Sequence, residues 1–146
     1  MQTDLTTKNS LGVPALARPR RVLLAEDNAE LRELLGQMLR HDGFRVLEFG
    51  DGTRLLEYLG SMLLRDRASE CPDLLITDIR MPGATGLEIV GGLRRAHWSV
   101  PVILMSAFDD EATRHAAKRV GGAVLFHKPF DLDDLRTAVL FMLHKH

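Results

Sequence analysis

Leu74-Leu75-Ile76-Thr77-Asp78, followed at once by Ile79-Arg80-Met81-Pro82-Gly83, is the stretch on which the fold turns. Four uncharged residues end in a carboxylate, and the Pro-Gly pair then forces a turn. An apolar run this short, closed by turn residues, reads as a buried parallel strand. In an open α/β sheet, ligands bind beyond the carboxyl ends of the strands. Asp78 is therefore expected where the core stops and solvent begins, a position better suited to chemistry than to packing.

Similar runs recur on both sides. Val22 to Ala25 reads as a first strand ending in Glu26-Asp27-Asn28. Leu31, Leu34, Leu35, Met38 and Leu39 follow at i, i+3, i+4, i+7, i+8, the pattern of an amphipathic helix. Gly43 closes it, and Phe44 to Phe49 alternates enough for an edge strand. Asp51 caps a second helix with Leu55, Leu56, Leu59, Met62 and Leu63 expected inward. Arg65 to Pro72 reads as a polar loop, and Asp73 to Asp78 as the third strand. Thr85 and Glu88 fit a capping box that opens a third helix, which Gly91-Gly92 weakens. Val100 to Met105 is a fourth strand ending at Ser106. A helix over about Asp109 to Val120 has only Ala112, Ala116, Ala117 and Val120 to bury, so it is expected to be the loosest attached. Ala123 to Phe126 is a fifth strand, followed by Lys128-Pro129. Asp131 then caps a last helix with Leu132, Leu135, Val139 and Met142 inward.

This alternation predicts an α/β fold: (βα)5, a doubly wound parallel sheet of the flavodoxin-like kind with strand order 2-1-3-4-5. Residues 1–19 read as a flexible N-terminal tail and 20–144 as one domain. The cluster Arg18, Arg20 and Arg21 reads as a solvated lead-in to the first strand. The chain has 146 residues, 45% of them hydrophobic and 27% charged, with a formal net charge of -1. That balance gives no footprint for direct nucleic-acid binding or for a membrane surface. No apolar run approaches the roughly 20 residues of a membrane span. Met1 to Ser10 has no apolar segment of the secretory kind. The lone Cys71 fits a reducing compartment, and a cytoplasmic location is the expectation. None of the six histidines pairs at metal-ligand spacing with cysteine or another core histidine, and His144 and His146 read as solvated tail.

Strands one, three, four and five end in polar groups: Glu26-Asp27, Asp78, Ser106 and Lys128. A parallel sheet lines these ends along one rim. Crowded carboxylates raise a pKa, and a divalent cation relieves the repulsion. An all-oxygen ligand set suits Mg2+ better than zinc. A lysine and a hydroxyl opposite the metal complete a site for a tetrahedral anion. The chemistry this predicts is phosphoryl transfer to Asp78, giving an acyl phosphate. Lys128 and the metal offset charge on the phosphoryl oxygens, and Ser106 donates a hydrogen bond.

With these residues in view, the chain resembles a response-regulator receiver domain of two-component signalling. The likeness covers about Arg20 to Leu143. It rests on Glu26-Asp27, on Asp78 with Met81-Pro82-Gly83 and Gly86, on Ser106-Ala107, and on Lys128-Pro129-Phe130, in that order. The resemblance implies that Asp78 accepts phosphate from a sensor histidine kinase or a histidine phosphotransfer protein. It implies that Asp27, Asp78 and the Arg80 backbone carbonyl bind Mg2+, with Glu26 acting through a metal-bound water. It implies that the Ala107 backbone N–H contacts the phosphoryl group and that the Lys128–Pro129 peptide is cis. Phosphorylation would then alter the face formed by the fourth helix, fifth strand and fifth helix, to control a downstream protein, an output domain or a homodimer. Such a protein catalyses only its own phosphorylation and dephosphorylation. Two positions depart from the pattern. Leu125 stands where an aromatic residue is common, with Phe126 expected on the other face. Bulky Arg80 and Phe108 flank the site and are expected to hinder water and prolong the phosphoryl group's life.

Other readings fit less well. A haloacid-dehalogenase-type phosphatase needs an acid where Arg80 stands. A flavin-binding module of this fold needs a phosphate loop where Glu26-Asp27-Asn28 stands. A receiver-like interaction module that works without phosphorylation is the main alternative, but such modules usually lack part of the acidic set. Leu140, Phe141 and Leu143 lie around the helix from the expected core positions, so some of them should point outward.

Overall fold

The computed structural model describes residues 19–65 and 71–145. The expected tail, 1–19, falls almost wholly outside that range, as does most of the loop after the second helix. The elements run β1 (Arg21–Ala25), α1 (Ala29–His41), β2 (Arg45–Phe49), α2 (Gly52–Arg65), β3 (Leu74–Asp78), α3 (Gly86–Arg95), β4 (Val102–Ser106), α4 (Glu111–Val120), β5 (Ala123–His127) and α5 (Leu132–Lys145). All strand pairs are parallel, and the sheet order is β2-β1-β3-β4-β5.

The uninterrupted apolar runs have a simple cause: both faces of the central strands are covered. Every residue of β3 and β4 is buried. Leu23, Ala25, Leu75, Val102 and Leu104 face α2, α3 and α4. Val22, Leu24, Leu74, Ile76, Ile103 and Met105 face α1 and α5. Each fully buried side chain of this size contributes about 1.5–3 kcal/mol relative to exposure. The edge strands β2 and β5 are only partly covered. As expected, Leu125 and Phe126 fall on opposite faces.

Local signals start the helices. The Asn28 side chain accepts the Leu31 N–H at 2.9 Å, and the Thr85–Glu88 capping box is complete. Asp51 accepts the Arg54 N–H at 2.8 Å and Asp131 the Asp133 N–H at 2.8 Å. α4 begins two residues later than expected, because Asp110 is the cap and accepts the Thr113 N–H at 2.7 Å.

The helices bury a narrower stripe than their periodicity suggested. Leu34, Leu56 and Leu63, all expected inward, are 46%, 50% and 45% exposed. Each helix meets the sheet along one line, so residues at the margin of the apolar face remain wet. α4 is held more thinly still: Ala117 is its one buried residue, and Ala112 is exposed rather than inward. On α5, Leu143 is buried while Leu140 and Phe141 are exposed. Gly91-Gly92 does not interrupt α3.

Candidate functional site

β1 delivers the first acid. The Glu26 backbone N–H donates to the Phe49 carbonyl at 3.0 Å, so the strand's path continues one residue past β1. The Glu26 side chain is thereby held inside the fold with no exposed surface. Its Oε2 accepts the Asn28 backbone N–H at 2.9 Å, and Arg32 Nη1 donates to its carbonyl oxygen at 2.8 Å. Asp27 turns out to solvent. The same turn thus yields one buried and one exposed carboxylate.

β3 delivers Asp78, 4% exposed. The Ile79 N–H donates to the Met105 carbonyl at 2.9 Å, fixing this strand end against β4. The Thr77 hydroxyl donates to the Asp78 carbonyl oxygen at 3.0 Å. Gly86 is required close by: a Cβ there would lie 2.2 Å from that same oxygen. β5 delivers Lys128, whose backbone N–H donates to the Ser106 carbonyl at 2.7 Å. Its side chain crosses the end of β4 to reach β3 and β1. Lys128 Nζ donates to Glu26 Oε1 at 2.7 Å and lies 2.9 Å and 3.1 Å from the two Asp78 oxygens. The Lys128–Pro129 peptide is cis.

Glu26, Asp27 and Asp78 each offer an oxygen, and these oxygens lie within 4.8 Å of one another. Three carboxylates and one ammonium leave net negative charge in a mostly buried place. Burial pushes Asp78 up, the Glu26 carboxyl adds to the rise, and Lys128 opposes it, so Asp78 stands at about 8. Burial pushes Glu26 up as well. Hydrogen bonds from Asp78, Lys128 and the Asn28 N–H outweigh that and hold it below its ordinary value. Burial works against the Lys128 charge, but Glu26 and Asp78 outweigh it and raise the lysine. Below that raised value the Asp78–Glu26 pair holds a proton between its carboxyl groups. A cation displacing that proton would find oxygen ligands only, the donor set of a hard divalent ion.

The remaining expected residues are nearby but are not part of this network. Ser106 is buried at the end of β4, yet its hydroxyl is occupied elsewhere: Oγ accepts the Phe108 N–H at 2.9 Å and donates to the Phe108 carbonyl at 3.0 Å. Ala107 is exposed beside it. The Arg80 guanidinium stacks on the Phe108 ring, 4.3 Å from its centroid, so the two bulky neighbours of the site form one unit. Arg32 escaped sequence reading. It looks like any polar helix residue, and only the fold shows it supporting the Glu26 turn.

The sequence model of the response regulator receiver domain matches residues 22–140. This chain belongs to that family. It is 32% identical over 123 residues to the alkaline phosphatase synthesis transcriptional regulatory protein SphR of Synechococcus elongatus, spanning 84% of this chain and 48% of that protein. It is 28% identical over 119 residues to sporulation initiation phosphotransferase F of Bacillus subtilis, spanning 82% of this chain and 90% of that one. The chain thus spans about half of the first relative and nearly all of the second.

Solved structures give the same fold. The Francisella response regulator 1452 receiver domain superposes with a TM-score of 0.75 at 22% identity, covering 86% of this chain and 98% of that one. The signal receiver domain of the putative response regulator NarL from Mycobacterium tuberculosis gives 0.71 at 27% identity, with 88% and 99% covered. The receiver domain's five parallel strands and five helices match the order expected from sequence. Among the described residues, no helix is long and apolar enough to cross a membrane.

Proposed function

We propose that residues 20–144 act as a phosphoacceptor switch and that Asp78 takes a phosphoryl group from a sensor histidine kinase or a histidine phosphotransfer protein. The observation carrying this is the convergence of Glu26, Asp27, Asp78 and Lys128 at one sheet rim. In the proposed reaction an Asp78 oxygen attacks phosphorus, the phosphorus–nitrogen bond of the donor breaks, and an acyl phosphate remains. Glu26, Asp27, Asp78 and the Arg80 backbone carbonyl would hold Mg2+, Glu26 through a water. When bound, Mg2+ offsets charge on the phosphoryl oxygens. Lys128 keeps its charge at neutral pH and offers a second cation to those oxygens. The Ala107 N–H and the Ser106 hydroxyl are the donors from β4. Most of the catalysis is positioning and electrostatics, which needs few groups.

Ser106 has to exchange its bonds with Phe108 for one to the phosphoryl group. That exchange releases the β4–α4 connection, and α4 has little burial to resist a shift. A two-state response of the α4–β5–α5 face follows from these weak restraints. Exposed Val124 on β5 gives that face an apolar group for a downstream protein, an output domain or a second copy. The phosphodonor's approach is supported by an apolar groove lined by Leu31, Leu34, Pro129, Phe130 and Leu132 beside Lys128. The test is transfer from a phosphorylated histidine phosphotransfer domain in Mg2+. Label should move to this chain in a hydroxylamine-labile form and fail to move to Asp78→Asn. Transfer to Asp78→Asn at the parent's level would overturn Asp78 as the acceptor, and no transfer to the parent would leave a phosphorylation-independent interaction module in its place.

A further inference from the structure

The opposite rim of the sheet is of mixed charge, with two arginines at the starts of adjacent strands and Asp73 just before β3. Arg21 opens β1 and Arg45 opens β2, and the two are partners in the parallel register. Partnered residues of adjacent strands project from the same face, so the two arginine side chains leave the sheet on one side and border the same cavity. The next pair on that face is Leu23 and Leu47. These four, with Tyr58 of α2 and Pro72, line a cavity of about 460 Å³. Arg40 also borders it but is already engaged, with Glu48 at 2.7 Å and the Val46 carbonyl at 3.0 Å.

Arg21 is not the solvated lead-in its sequence context suggested. Its Nε is buried and has no hydrogen-bond partner. Among the described residues, no carboxylate forms an ion pair with Arg21 or Arg45. Asp73 stands close, but its Oδ2 accepts the Arg21 backbone N–H at 2.7 Å. Like charges directly opposite on neighbouring strands are destabilising, and an unpartnered buried donor is costly. One anion bridging both guanidiniums relieves both penalties, since planar forks bind carboxylate or phosphate oxygens two at a time. The floor beneath them is apolar, and the volume lies within the usual range of small-molecule sites, roughly 300–1,000 Å³.

We propose that this cavity binds a small organic phosphate of mononucleotide size, its phosphate between Arg21 and Arg45 and its flat body against Leu23, Leu47 and Tyr58. The site lies at the amino ends of the strands, across the sheet from Asp78, and does not depend on the phosphoacceptor reading. The test is an NMR titration of the full chain in EDTA with AMP, inorganic phosphate and adenosine as probes. AMP should give saturable shifts at the Leu23, Val46, Leu47 and Tyr58 amides, with phosphate weaker at the same positions. Arg45→Gln, at an exposed position, should weaken AMP about tenfold. Leu47→Asn should weaken AMP and leave phosphate alone, and Asp78→Asn should change neither. Absence of saturable shifts, shifts confined to the Asp78 rim, or AMP binding unchanged in Arg45→Gln would each overturn the proposal.

Discussion

The acid rim is built from two unlike halves. Glu26 and Asp78 come from β1 and β3, strands sealed on both faces and tied by bonds from Asn28, Arg32 and Thr77. Ser106, Phe108 and Lys128 come from the side where β5 is a half-covered edge and α4 has one buried residue. In the proposed switch, the acids that would hold metal and phosphate sit on the stiff half, and the hydroxyl that would exchange its bonds sits on the loose half. A switch needs both, because a uniformly stiff site has no second state and a uniformly loose one holds no metal.

The two halves should differ most in stability. Leu75→Ala in the stiff half should cost about 2–5 kcal/mol in denaturant unfolding. Ala117→Gly in α4 should cost about 1 kcal/mol, mainly helix propensity. Equal costs would contradict the division. Hydrogen exchange would sharpen it, with β3 amides protected to the global limit and α4 amides opening well below it.

A smaller effect follows from Asp78. Its folded value, about 8, lies above the ordinary 3.8, so between those values the folded chain holds a proton that the unfolded chain lacks. Stability therefore falls as pH rises from about 4 to 8. Glu26, held low, contributes stability lost only as pH falls below its ordinary 4.5. Lys128, held high, contributes stability lost only above its ordinary 10.5. Asp78→Asn should accordingly melt several degrees above the parent at pH 8, the gap narrowing toward pH 5. Mg2+ should raise the parent's Tm more at pH 8 than at pH 6. A gap independent of pH would rule out the buried proton.

The smallest expected effect concerns Arg80 and Phe108. Because they stack, either Arg80→Asn or Phe108→Ala should open the site to water and speed loss of the phosphoryl group several-fold. The double variant should add little to the faster single one, since the two act as a unit. Decay rates equal to the parent's would remove the idea.

Much of this was legible in the sequence, for identifiable reasons. Strands covered on both faces must be apolar throughout, so Leu74 to Thr77 and Ile103 to Met105 announce themselves. A carboxylate closing such a run, as Asp78 does, falls at the rim by construction. Caps at Asp51, Thr85 and Asp131 are local, and local signals survive folding. What periodicity cannot give is the width of the buried stripe, so Leu34, Leu56 and Leu63 were placed inward wrongly. Nor can it give the rotation of one hydroxyl, and Ser106 turns to the Phe108 backbone rather than to the acids. The pairing of Arg21 with Arg45 depends on strand register, which no single segment encodes.

In the proposed function the converging acids hold Mg2+ so that Asp78 carries phosphate. Intact mass after incubation with acetyl phosphate tests it most directly. One phosphoryl group should be added with Mg2+, none when EDTA replaces it, and none on Asp78→Asn in either condition. A parent that gains no phosphoryl group, or gains it equally without Mg2+, would contradict the account.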